Sequence, residues 1–186
     1  GAATVALLRS GDPSLRPAAE IALTPGACIW EFRGRKSIHT PSAAMCWAGL
    51  QRLEAIAAHL GLSDRAEYWG RHALAVQEEV LKQAWNPKLN AFCGVFGGDD
   101  LDASSLLLAE LGLIAPDDPR FVSTVEAIHR ELRRDFHVMR YVAADDFGVP
   151  ETAFLICRFW LIDAMWLIGR RDEARGARHE ACGEPP

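Results

Sequence analysis

The sequence predicts an all-α fold whose helices come in hairpins, and three observations carry that reading. Apolar residues recur at helical spacing, first Cys46, Leu50, Leu53, Ala57 and Leu60, then Ala66, Trp69, Ala73, Val76 and Val80. Helix-starting and helix-stopping residues bracket these runs, with Thr40-Pro41 ahead of the first, Gly61 and Ser63 between the two, and Asn86-Pro87 after the second. Short turns within a pair alternate with longer loops between pairs. That alternation builds an α/α-toroid, with one helix of each pair inside and one outside. The 186 residues hold about three pairs, an incomplete barrel of the six-hairpin type.

Residues 1–25 read as a partial helical lead-in, with an apolar run from Val5 to Leu8, a Gly11-Asp12-Pro13 break and an Ala-rich stretch from Leu15 to Leu23. A loop follows Pro25-Gly26. Thr40 is the expected N-cap of the next helix, because its hydroxyl suits an orphan backbone amide, and Pro41 suits the first helical position. Ser63 is the expected cap of its partner. Residues 90–96 read as a short extended segment ending in Gly97-Gly98. A third helix is expected from near Asp102 through Leu111, closed by Gly112, and a fourth from the Pro116-Asp117-Asp118-Pro119 turn to about Arg134. Val138 to Val142 reads as extended. Asp145-Asp146-Phe147-Gly148-Val149-Pro150 reads as a solvated loop. The fifth helix is expected from Glu151 or Thr152 to Ile168, apolar nearly all round and broken only by Arg158 and Asp163. A sixth begins at Arg171, and residues 176–186 read as an irregular tail. Residues 26–175 therefore form the principal unit.

In a toroid the helices starting near 40, 102 and 151 run parallel, so the loops before them open at one end. Glu31, Asp102, Arg140 and Glu151 are expected to gather at that mouth.

Composition narrows the function. With 49% hydrophobic residues the chain can bury one sizeable core. The net charge is −5 and the basic residues are scattered without aromatic interleaving, which argues against nucleic acid. No apolar run is long and charge-free enough to span a bilayer. Six tryptophans against two tyrosines suit sugar-stacking surfaces and thick helical cores equally. The five cysteines are odd in number and widely spaced, with no Cys-x-x-Cys and no zinc spacing, which suggests a reducing, cytoplasmic compartment and no metal or cofactor. Gly-Ala-Ala-Thr-Val is neither a translation start nor a signal peptide, so the chain is expected to be a piece of a longer one.

The stretch Gly26-Ala27-Cys28-Ile29-Trp30-Glu31-Phe32-Arg33 sets an acid between two aromatic rings. A carboxyl partly stripped of water holds its proton toward neutral pH, the property a general acid needs. Arg33 works against this if it lies close. Glu31 is equally readable as a loop acid that caps a helix or pairs with Arg33 or Arg35. His39, Asp102 and Glu151 also have plain readings, as a structural histidine, an N-cap and a helix-start carboxylate.

Ile29-Trp30-Glu31-Phe32-Arg33, then Ser42, then Met45-Cys46-Trp47, resembles the acid-bearing segment of glycoside hydrolase family 15, which holds glucoamylases, glucodextranases and a branch of bacterial trehalases. Leu101-Asp102-Ala103-Ser104, Pro116 to Arg120, Met139-Arg140-Tyr141 and Gly148 to Leu155 running into Phe159-Trp160 are similar to its bacterial members, in the family's order. The bacterial pattern reads Asp-Ala-Gly where this chain has Gly26-Ala27-Cys28.

The resemblance implies a fragment of an enzyme that hydrolyses α-glucosidic bonds with inversion, with Glu31 as general acid. It assigns Arg140 to substrate hydroxyls, Tyr141 to the same wall and Trp30 to a sugar face, with Arg33, His39, Asp102 and Glu151 lining the mouth. The family's general base lies on a loop beyond the last helix pair of this chain. The implied partners are α-linked glucosides. Self-association is expected through apolar helix faces left bare. The alternatives are a non-catalytic carbohydrate-binding or scaffold module and a toroidal sugar epimerase, which needs histidine proton shuttles.

Overall fold

The computed structural model describes residues 20–34 and 36–182, with the side chain of Cys182 left out. Most of the lead-in falls outside that range, as do Arg35 and the last four residues; Glu20 and Ile21 are helical.

The first pair is α1 (Thr40–His59) and α2 (Ser63–Gln83). Gly61, at φ 70°, closes α1, donating to the Ala58 carbonyl while Leu62 donates to that of Ala57. This Schellman arrangement needs a left-handed residue, which glycine supplies without a Cβ clash. The α1 cap differs from expectation. His39 is the N-cap, and the Thr40 hydroxyl donates to the Cys93 carbonyl at 2.6 Å. The Thr40 amide donates to Gly94 as well, so the threonine ties the helix start to the extended segment. Ser63 likewise lies one position inside α2, after the cap residue Leu62.

After α2, β1 (Trp85–Asn86) pairs antiparallel with β2 (Ala91–Phe92) around the Asn86-Pro87 turn. The second pair opens with a 3₁₀ turn, Ala103–Leu106, that passes into the short α3 (Leu107–Glu110) and returns as α4 (Pro119–Glu131). Asp118 caps α4 by accepting from the Arg120 amide. This helix stops earlier than expected. Asp135 takes φ 51°, and the chain turns there so that β3 (Arg133–Arg134) pairs with β4 (His137–Val138).

The third pair is α5 (Leu155–Leu167) and α6 (Arg171–Cys182). Glu151 and Thr152 belong to the loop before α5, because the Phe154 amide donates to the Val138 carbonyl and keeps that residue extended. The irregular tail expected from Gly176 is helix through Cys182. Ala174 is buried and Ala177 and Ala181 pack on the core, so alanines alone carry the apolar period. Arg158, buried in α5, donates to the Ala177 carbonyl and pairs with Glu180 at 3.1 Å.

One core joins all three pairs, with Leu50, Val80, Phe92, Leu106, Phe121, Ile128 and Cys157 in its interior. The opposite face of α5 stays bare, with Leu155, Ile156, Phe159, Trp166 and Leu167 each about 40–54% exposed.

Candidate active site

The N-caps of α1, the 3₁₀ turn and α5 are His39, Asp102 and Phe154. All three meet one loop, residues 26–38. His39 stacks on Phe32 with ring centroids 5.6 Å apart, and Phe154 meets Trp30 edge-on at 6.1 Å. Asp102 accepts a 2.8 Å hydrogen bond from the Trp30 indole. Three helix starts therefore converge on one loop, with Arg140 at the same end as Trp30 and Asp102.

The loop's ends are held by an antiparallel bridge between Gly26 and Ser37. Inside it, the amides of Phe32 and Glu31 donate to the carbonyls of Ala27 and Cys28. Both Cys28 (φ 66°) and Glu31 (φ 56°) are left-handed although each carries a Cβ. Cys28 occupies the place where the bacterial pattern has glycine. Such residues cost about 1–2 kcal/mol each and persist only where their surroundings hold them.

The surroundings do so from beneath through Asp102. Its carboxylate is buried and accepts from the Ser104 amide and hydroxyl and from Trp30. Burial raises its pKa above the usual carboxylate value, against the opposing pull of these donors and of Arg140. Space at this point is tight: a Cβ on Gly94 would stand 2.7 Å from the Asp102 Cβ, so only glycine lets the two backbones approach.

Around Trp30 the packing is aromatic. Tyr141 and Trp160 lie 6.4 and 6.0 Å from it, and the Arg140 guanidinium sits 5.7 Å over its ring and 5.3 Å over that of Tyr141. Tyr141 donates its hydroxyl to Asp145 at 2.8 Å, and burial together with that bond pushes its pKa up to about 12, which keeps it a neutral donor.

The 145–148 turn, read from sequence as solvated, is part of this assembly. Asp145 and Gly148 bridge each other, and Asp145 also accepts from the Phe147 amide. Asp146 then accepts from the amides of Arg33 at 2.6 Å and Gly34 at 2.9 Å. The Arg33 guanidinium lies 6.0 Å over the Phe147 ring. Nothing local in the sequence announces a contact across more than a hundred residues.

Glu31 is exposed. Its aromatic neighbours in sequence turn toward the core, so the described residues do not strip water from its carboxyl as the Trp-Glu-Phe pattern suggested. Glu151 is also exposed, in the loop before α5, and holds no helix-start position. A cleft of about 90 Å³ lies beside the loop, lined by Phe32, His39, Asp102 and Tyr141 among others. Ligand pockets run roughly 300–1,000 Å³, so this cleft alone is smaller than an ordinary ligand site. Among the described residues no three His, Cys, Asp or Glu side chains are placed to hold a metal ion. No helix among them is long and apolar enough to cross a membrane.

Helix pairs whose starts converge on one acid-bearing loop fit part of an α/α-toroid. Solved structures of that fold match: a glycosidase variant with a TM-score of 0.72 at 20% identity, covering 84% of this chain and 41% of that one. A bacterial glucoamylase complexed with acarbose gives 0.69 at 14% identity, covering 90% and 31%. The chain belongs to glycosyl hydrolases family 15, whose model matches residues 20–177. The trehalase of Mycobacterium tuberculosis is 36% identical over 154 residues, which are 81% of this chain and 22% of that protein. The chain thus spans about a quarter of the length of the trehalases it matches. Family membership does not favour the scaffold-module or epimerase readings, and among the described residues the histidine at the mouth, His39, is 3% exposed.

Proposed function

We propose that this chain is the acid-bearing part of a domain that hydrolyses α-glucosidic bonds with inversion, and that Glu31 is the general acid. One observation carries the proposal. Glu31 is held in a left-handed conformation on the loop where three helix caps meet, with its carboxyl facing outward from the core. In an inverting hydrolase the acid protonates the leaving oxygen while a second carboxylate activates water across the sugar, roughly 6.5–9.5 Å away. That second carboxylate comes from residues outside this segment.

Arg140 is the substrate-binding residue the geometry supports best. Arg140 is half-buried with its guanidinium over two rings, and packing that restricts the group in this way supports a role in binding sugar hydroxyls. Tyr141 and Asp102 build the wall, and Trp30 supports the loop more than it stacks on sugar, since its indole is engaged by Asp102 and three aromatic rings. Arg33, His39 and Glu151 stand at the rim, under the stacked Phe32 and in the facing loop. The substrates are α-linked glucosides, with trehalose first because the curated relatives are trehalases. A cytoplasmic place in carbohydrate metabolism fits the free thiols among the described residues, Cys28, Cys46, Cys93 and Cys157.

The test is a complete family 15 domain carrying this segment, assayed on trehalose and maltose by proton NMR. Initial release of the inverted β-anomer is expected, and Glu31→Gln should lower kcat by about 10²-fold or more. Undiminished turnover in that variant would remove Glu31 from the role.

A further inference from the structure

We infer that Asp146 is a positioning residue for the acid loop, and that the Asp145–Gly148 turn acts as its clasp. Its place in catalysis rests on the reading of Glu31 above, whereas the clasp itself can be measured without activity. The turn is built to present one carboxylate. Asp145 and Gly148 close it through paired backbone hydrogen bonds, and Gly148, at φ 102°, takes a backbone conformation that favours glycine. Asp145 holds the turn from inside by accepting from the Phe147 amide, and Tyr141 anchors Asp145 to the aromatic wall. Asp146 is then left facing the loop, where each of its oxygens receives one backbone amide, from Arg33 and from Gly34.

Those amides follow Glu31 by two and three residues. Trp30, immediately before Glu31, is fixed by Asp102. Glu31 is therefore gripped on both sides along the chain, by one carboxylate beneath and one in front. A charged acceptor bonded to two successive amides restricts both the position and the rotation of the segment. An acid that must reach a glycosidic oxygen within hydrogen-bond distance depends on such restriction. The same contact requires glycine at position 34. A Cβ built on it would lie 2.5 Å from Asp146 Oδ1, so a residue larger than glycine there would push the carboxylate out of its bonds.

The experiment is a mutant cycle on the 186-residue chain, with amide hydrogen exchange read by NMR. Asp146→Ala should speed exchange at Arg33 and Gly34 by about tenfold or more while α1 and α2 amides stay unchanged. Gly34→Ala should speed exchange at Arg33 similarly, and the double variant should be no worse than Asp146→Ala alone, since the clash needs the carboxylate. Unchanged exchange in Asp146→Ala, or fully additive effects, would overturn the clasp. In a complete domain, Asp146→Ala should lower kcat about tenfold with KM within twofold. If Glu31→Gln is inactive there while Asp146→Ala keeps full kcat, the positioning role fails. If Glu31→Gln is fully active, the acid assignment fails and the exchange result still judges the clasp.

Discussion

Replacing Cys28 by glycine should leave the protein more stable than replacing it by alanine, the reverse of the usual order. Both substitutions remove the same half-buried thiol, which burial keeps protonated with a pKa of about 11. They differ only at Cβ and in chain freedom. Alanine keeps a Cβ in the left-handed conformation at φ 66°, which costs about 1–2 kcal/mol. Glycine removes that cost and loses about 0.5–1 kcal/mol through greater freedom of the unfolded chain. At mid-range the balance favours glycine by about 0.75 kcal/mol, or roughly 1.5–3 °C in Tm for a domain of this size. Ala55, exposed in the C-terminal half of α1, is the internal control, where a change to glycine should cost about 1 kcal/mol. Thermal and urea unfolding followed by circular dichroism would read all three variants. A Cys28→Gly protein that melts at or below Cys28→Ala would refute the idea that this residue is strained.

Four further outcomes are expected. In stability against pH, Asp102 has a folded pKa raised above its unfolded value, so its contribution is fully present below about pH 3.9 and is lost as pH rises through the folded pKa. Wild type should therefore gain on Asp102→Asn between pH 7 and 4, and a Tm difference that stays flat across that range would contradict the burial effect. Arg158→Met keeps the packing but removes the donors to Ala177 and Glu180, so it should cost about 1.5–3 kcal/mol and open α6 to proteolysis first; limited digestion would show this. The 186-residue chain alone should not turn over maltose or trehalose measurably, a result that glucose release by the purified chain would reverse. The bare face of α5 should drive self-association, which light scattering after size exclusion would detect; a monodisperse monomer that binds no hydrophobic dye would count against it.

Periodicity made the helix hairpins legible because each face is several residues long and each break is a glycine or a proline pair. Gly61 and Gly112 are left-handed helix ends where the pattern placed them. The structure departs from the sequence pattern where a hydrogen bond runs to a distant part of the chain. Thr40 looks like a cap and instead serves the Cys93 carbonyl, and Glu151 looks like a helix start until Phe154 is found bonded to Val138. In α6 the apolar stripe is alanine, too weak a signal beside five arginine and glutamate neighbours. Asp102 and Trp30 were each legible as members of the site, but the hydrogen bond between them was not. Asp146 was missed because a carboxylate that receives amides from another loop has the same local sequence as one that receives water.

Magnitudes decide whether such distant bonds matter to the loop. Two left-handed residues with Cβ atoms, Cys28 and Glu31, disfavour it by about 2–4 kcal/mol together. Against this stand the exposed bonds from Arg33 and Gly34 to Asp146, each worth about 0.5–1.5 kcal/mol net, and the shielded Trp30–Asp102 bond, worth about 1.5–3 kcal/mol. The two sides are close enough that neither carboxylate alone holds the strained form securely. The Asp102 bond lies beneath the loop and its loss would disturb the core. The Asp146 bonds lie in solvent and can open while the toroid stays folded. The loop's conformation thus rests on both tethers together, and the one that can open without disturbing the core is carried by a turn in the loop before the third helix pair.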